Sequence, residues 1–161
     1  MLQIAPATPA DTELIAQLVR ELADYERLAH EARAEAADFH AALFRPEPRV
    51  YCDIARWQRE PAGFAVWYYS FSTFEGRHGL YLEDLFVRPP LRRRGIGTAL
   101  LRHLAARCVR EGLARFEWSV LNWNTPAIDF YRAVGARPMS DWTVWRLSGA
   151  ALQALGAATV R

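Results

Sequence analysis

Residues 80–104 read LYLEDLFVRPPLRRRGIGTALLRHL, and the order of elements in this stretch decides the fold. Leu80 to Val87 is apolar and predicts a strand, with two carboxylates, Glu83 and Asp84, inside it. Two prolines then interrupt the chain, and Arg88 to Arg94 reads as a basic loop. From Gly95 to Arg110 apolar residues recur at helical spacing. Ile96, Leu100, Leu101 and Leu104 share one face, and Gly112 closes the helix. A strand, a basic glycine loop and a helix, in that order, can hold an anion. The first amides of a helix have no partner within it, and the helix dipole favours negative charge there. Glycine lets a phosphate approach the backbone closely. A dinucleotide fingerprint needs a third glycine where Leu100 stands, so that reading fails. The plain alternative is a run of solvated arginines beside a helix cap.

Outward from this stretch, helix and strand patterns alternate. On the N-terminal side, Leu2 to Ala5 predicts a strand. Thr8 or Asp11 can cap a helix carrying Leu14, Ile15, Leu18, Val19 and Leu22. Glu31 to Leu43 is Ala-rich and predicts a second helix, ended by Arg45-Pro46-Glu47-Pro48. Val50 to Trp57 and the aromatic run Gly63 to Phe71 predict strands, joined by a turn at Arg59-Glu60-Pro61. Thr73 to Gly79 is a polar turn. On the C-terminal side, Arg115 to Leu121 predicts a strand. Thr125-Pro126 opens a helix that Gly135 ends, Trp142 to Leu147 predicts a late strand, and the last residues suit a fraying helix. This alternation predicts one α/β domain over residues 1–161, a mixed sheet with helices on both faces.

Composition narrows the chemistry. The chain has 161 residues, 52% hydrophobic and 24% charged, enough for a real core without metals or disulfides. All 20 of its Lys+Arg residues are arginine. The absence of lysine excludes a Walker-type phosphate loop, a lysine Schiff base and a lysine general base. A net charge of +2 is too small to imply a nucleic-acid partner. Cys52 and Cys108 have neither zinc-site nor disulfide-framework spacing, and His30, His40, His78 and His103 lack the spacing of a zinc helix, so no metal is expected. The longest apolar run, Phe64 to Tyr69, falls far short of the ~20 residues of a membrane span. Met1 to Glu13 lacks a secretory signal pattern, so a cytoplasmic location and no membrane partner are expected.

Two motifs now stand together. Arg92 to Gly97 reads Arg-x-x-Gly-x-Gly, and Asn124 to Tyr131 reads Asn-x-x-Ala-x-x-Phe-Tyr. The pair resembles the acetyl-CoA signature of the GNAT superfamily of N-acetyltransferases. Glu21 to Glu26, Tyr81 to Val87, Trp123-Asn124 and Trp145-Arg146-Leu147 narrow the resemblance to the spermidine/spermine (diamine) and thialysine acetyltransferase branch. It covers about Ile4 to Leu155. The resemblance implies a V-shaped, mostly antiparallel seven-stranded mixed sheet, whose two central strands splay apart around acetyl-CoA. The splayed strands here would be Leu80 to Val87 and Arg115 to Leu121. Splaying leaves backbone groups that something must satisfy, and the amides of pantetheine suit them.

By the same resemblance, the backbone of Leu85, Phe86 and Val87 pairs with pantetheine. Arg92, Arg93, Arg94, Gly95, Ile96, Gly97 and Thr98 hold the pyrophosphate. Asn124, Thr125, Pro126 and Ala127 line the far side of the cofactor, and Tyr131 brings its phenol to the thioester sulfur. Substrate contacts are implied at Tyr25, Glu26, Glu83, Asp84, Glu117, Trp118, Ser119, Thr143 and Trp145. The branch also implies a homodimer, for which Trp67-Tyr68-Tyr69, Trp142 and Trp145 could supply apolar area; they could equally be core.

The implied reaction moves an acetyl group to a primary amine of a small molecule by direct attack in a ternary complex. Such an amine, with a pKa near 10.4, costs about 4–5 kcal/mol to neutralise at pH 7. Desolvation supplies part of this, and a carboxylate can take the proton. Glu83 is expected in that role. Neighbouring strand residues face opposite sides, so one of Glu83 and Asp84 could instead be a surface charge. Tyr131 would help the leaving thiolate as a hydrogen-bond donor; without the motif it would read as a core tyrosine beside Phe130.

The chain departs from the polyamine pattern at Thr73, Glu75 and Thr143, which removes carboxylates and a tryptophan. A smaller amine, one that also bears a carboxylate, fits better, and Arg77 could attract that carboxylate. Two alternatives use the same fold: a protein or peptide N-acetyltransferase, and a non-catalytic CoA-binding regulator.

Overall fold

The computed structural model describes residues 1–158. Aromatic and β-branched residues build five strands: β1 (Leu2–Pro6), β2 (Tyr51–Trp57), β3 (Glu60–Ser72), β4 (Arg77–Val87) and β5 (Phe116–Trp118). They form one mixed sheet in the order β1-β2-β3-β4-β5. The first four pair antiparallel, and β5 joins β4 in parallel. A parallel neighbour requires a crossover, supplied by helix α3 (Ile96–Glu111).

Helices α1 (Thr12–Tyr25) and α2 (Ala36–Leu43) cover one face of the sheet. Ile15, Leu18 and Leu22 of α1 and Leu43 of α2 pack with Cys52, Ile54, Phe64, Val66 and Phe86. Burying each large apolar side chain there contributes roughly 1.5–3 kcal/mol. On the opposite face α3 buries Ile96, Leu100, Leu101, Leu104 and Cys108. Trp67 lies in this second layer, so it is core rather than interface. Its indole Nε1 donates to the buried Asp53 at 2.7 Å, and His103 of α3 stands 3.3 Å from the other carboxylate oxygen. Helices on both faces of a mixed sheet match the expected class.

The residues divide into two compact units, 1–124 and 125 onward. The first holds the sheet and α1 to α3. The second holds α4 (Thr125–Ala133), an irregular stretch, and α5 (Gly149–Ala157).

Several expectations are corrected. The described residues contain five strands, not seven. Trp142 to Leu147 is not a strand. Its apolar pattern suits one, but a strand needs a partner for its backbone groups, and the described residues of the second unit contain no strand. The strand expected over Arg115 to Leu121 is only Phe116–Trp118. The second helix starts at Ala36, after a 3-10 turn at Ala29–Glu31, because Glu35 supplies its cap: the Glu35 N–H donates to Asp38 at 2.9 Å. The β2–β3 turn falls at Gln58-Arg59, where both residues take positive φ, the twist that a two-residue hairpin demands.

Candidate active site

Two features of β4 create the site. The first is a bulge. Val66 pairs with Asp84 and Trp67 with Leu82, so Glu83 has no partner on β3. A bulge breaks the strict alternation of faces. Glu83 is exposed, whereas Asp84 is mostly withdrawn from water on the face that carries Val66. Burial first, then the charges of Glu83 and Glu26, pushes the Asp84 carboxyl up to about 7. Glu26, at the end of α1, is also raised by burial. A cationic or hydrogen-bonding guest is what such a carboxylate cluster lacks.

The second feature is the end of β5. It accompanies β4 only from Leu80 to Leu82, against Phe116 to Trp118. From Glu83 to Val87 the β5-side edge of β4 has no strand paired to it among the described residues, which leaves a gap in the sheet. Leu85, Phe86 and Val87 lie on that edge. The Val87 carbonyl accepts a hydrogen bond from Arg92 Nε at 2.9 Å.

The chain beyond β4 turns through Pro89–Leu91 into α3. Arg93 and Gly95 both take left-handed backbone, with φ of 63° and 75°. Alternating handedness of this kind makes backbone nests that hold anions. Gly95 is the N-cap of α3, no side chain caps the helix, and the space in front of Gly95 is open. The first amides, at Ile96, Gly97 and Thr98, thus have neither a helical carbonyl nor a cap to satisfy them. Arg92 stacks on Tyr25 at 4.4 Å and Arg94 faces the Trp57 ring at 5.7 Å, while Arg93 makes no ion pair among the described residues.

Helix α1 reaches this gap because it is tied to β4. Glu21 accepts two hydrogen bonds from Arg88, at 2.8 and 2.9 Å, and Arg88 also donates to the Pro61 carbonyl. The last turn of α1 then carries Tyr25 across the gap. Its hydroxyl donates to Asn124 at 3.1 Å, on the β5 side, and its ring lies under Arg92, on the β4 side. Asn124 is buried.

The remaining expected residues are dispersed. Ser119 bonds the Tyr81 hydroxyl at 2.7 Å, and Tyr81 packs on Tyr68 at 5.2 Å. Glu117 lines a shallow pocket with Ser70, Ser72, Gly79 and Arg115, toward the β3–β4 hairpin, and Trp118 packs on Phe116. In the second unit, Thr125, Pro126, Ala127 and Tyr131 lie on α4, with the Tyr131 ring 5.5 Å from Phe130. Thr143 and Trp145 lie in the irregular stretch before α5, both exposed.

Sequence reasoning did not single out Tyr68, Tyr81, Arg27 or Trp123 as site residues. Tyr68 and Tyr81 could have been found from their spacing to Val66 and Asp84, but only with the bulge known. Among the described residues no group of three or more His, Cys, Asp or Glu side chains could hold a metal ion. No helix among them is long and apolar enough to cross a membrane.

Comparisons with known proteins bear on the site. Residues 15–136 match the acetyltransferase (GNAT) family. The chain is 32% identical to the thialysine N-epsilon-acetyltransferase of Bos taurus, over 94% of this chain and 95% of the relative. It is 30% identical to an L-ornithine N5-acetyltransferase of Arabidopsis thaliana, over 95% and 87%. An integron cassette protein from the mobile metagenome of V. cholerae shares the fold, with a TM-score of 0.81 at 24% identity over 98% of both chains.

Proposed function

The chain belongs to the GNAT acetyltransferase family and is an acyltransferase that acetylates amines, and we propose that its acceptor is the primary amine of a small molecule of the lysine, thialysine or ornithine class. The observation that carries the reading is the edge of β4 left unpaired beyond Leu82, beside the uncapped start of α3. An extended edge of amides and carbonyls beside a helix N-terminus fits a ligand with an amide arm and a pyrophosphate. The GNAT family uses acetyl-CoA, which when bound would supply the acetyl thioester. Leu85, Phe86 and Val87 would pair with its arm, and Arg93 to Thr98 would hold its phosphates.

On the acceptor side, the Asp84–Glu26 pair binds the incoming ammonium. We assign proton removal from the amine to Asp84 rather than Glu83. A general base works best with a pKa near the operating pH, and Asp84 sits at about 7. Glu83, exposed on the bulge, adds negative potential. The acceptor then attacks the thioester directly. A cysteine acyl-enzyme is disfavoured because burial holds both Cys52 and Cys108 thiols in the protonated form. Tyr131 donates a hydrogen bond to the departing sulfur. Full proton transfer from its phenol to the thiolate would be uphill by about 2 kcal/mol, so the hydrogen bond is the contribution. The names of the thialysine and ornithine relatives, together with this chain's own Thr73 and Thr143 where the polyamine pattern has carboxylates, support an amino-acid amine over a long polycation.

The test is thiol release from acetyl-CoA across spermidine, putrescine, thialysine, lysine, ornithine and a short peptide. Amino-acid amines are expected to turn over fastest, with Tyr131→Phe lowering kcat by about 10- to 100-fold. A spermidine preference would overturn the substrate class. Turnover of the peptide alone would overturn the small-molecule reading.

A further inference from the structure

We infer that Arg27 holds a carboxylate of the acceptor, so that the site selects amines that are also acids over plain diamines; this rests on the small-amine reading above. Arg27 directly follows Glu26, the C-cap of α1. It takes φ 61°, at the position where helices most often place glycine. The Arg27 N–H donates to the Asp24 carbonyl at 3.1 Å and the Leu28 N–H to the Ala23 carbonyl at 2.8 Å, so the chain is firmly turned there. A long charged side chain in left-handed backbone is a strained choice, and such outliers gather at ligand sites.

The guanidinium lies 4.9 Å over the ring of Trp123, which itself neighbours Tyr25 at 6.3 Å. Stacking fixes the guanidinium plane and leaves its N–H edge available for the two-pronged bonding that carboxylates accept. Among the described residues no carboxylate takes that edge, whereas Arg56, Arg77, Arg88 and Arg107 each have an acidic partner. Arg77, expected from sequence as the carboxylate contact, pairs with Glu75 at 3.6 Å where β4 begins, at the hairpin end.

The rim of the gap is therefore positive at Arg27, while Glu26 and Asp84 make its wall negative. An amino acid with a distal amine has the complementary arrangement. Its ammonium enters beside Asp84, and its carboxylate stays at Arg27. A diamine would bring a second cation against Arg27 instead.

The experiment measures kcat and KM for wild type, Arg27→Gln and Arg27→Lys with matched pairs: lysine against cadaverine, and ornithine against putrescine. Wild type is expected to favour the acid of each pair. Arg27→Gln should raise KM for the two amino acids by about tenfold or more, the loss of one charge-assisted contact. It should leave kcat near wild type and leave the diamines unchanged or improved. Arg27→Lys should fall between. Equal effects within each pair, or no effect, would overturn the inference while leaving the small-amine reading intact. No turnover of any of the four by wild type would overturn both.

Discussion

Asp84 shows how one side chain ties stability to pH. Its carboxyl is raised from the ordinary aspartate range to about 7 in the folded chain. The folded state therefore binds this proton more tightly than the unfolded state, and ionising Asp84 opposes folding. That cost is absent below about pH 4, grows as pH rises toward 7, and is fully present above it. Asp84→Asn should stabilise the protein by roughly 2–4 kcal/mol at pH 8 and by almost nothing at pH 4, as measured by denaturant melts at the two values. The same variant should lose at least 100-fold in kcat/KM and the acid limb of its pH profile near 7. Loss of activity with that limb retained would return the role to Glu83. The sequence names both carboxylates and favours Glu83 by its place in the strand and by the resemblance, with strict alternation of faces as the assumption under which one of the two would be a surface charge. The bulge set by the β3–β4 register cancels that assumption, and no local motif announces it. Arg27 is not legible for a related reason: a positive φ on arginine at a helix C-terminus, where glycine is usual, has no signature in composition or spacing.

At the scale of elements, the strand, basic loop and helix of residues 80–111 were readable because each boundary is marked by proline or glycine with a specific backbone task. Gly112 closes α3 at φ 64°, and Gly95 opens it at φ 75°. The Trp142 to Leu147 strand failed because a strand is a relation between segments, and an apolar pattern does not name its partner. Gly63 shows such a relation at close range. It pairs with Val87, and a Cβ placed on it would lie 2.3 Å from the Phe86 carbonyl oxygen. That obstacle is backbone and cannot rotate away, so β3 and β4 must separate locally. Gly63→Ala should destabilise the chain by about 2 kcal/mol or more. It should also raise the KM for acetyl-CoA, because the displaced residues are those assigned to its arm. Thermal melts and saturation kinetics on the same sample check both effects, and unchanged values would mean that β4 is more pliant than its pairing suggests.

Over the whole molecule, protection from solvent is uneven. β2, β3, β4 and α3 carry most of the buried core, while no residue of α4 or α5 is buried and Trp142, Val144 and Trp145 are exposed. Amide exchange should therefore be slowest in the central strands and α3, and fastest over residues 137–157. Concentration-dependent protection of that stretch, with a solution mass twice the 18.3 kDa of the chain, would instead report the homodimer expected from the resemblance, with a second copy covering those tryptophans. The early end of β5 has a consequence for the fate of the protein in crowded solution. A strand edge with no strand paired to it is a template on which another molecule's chain can add, and templated addition is how β-proteins clump. Natural sheets blunt such edges with irregular backbone and with charge. Here Glu83 supplies the irregularity, and Glu83 with Asp84 supplies the charge. The carboxylates proposed for the reaction would therefore also guard against self-assembly, and replacing them with apolar residues should yield insoluble protein.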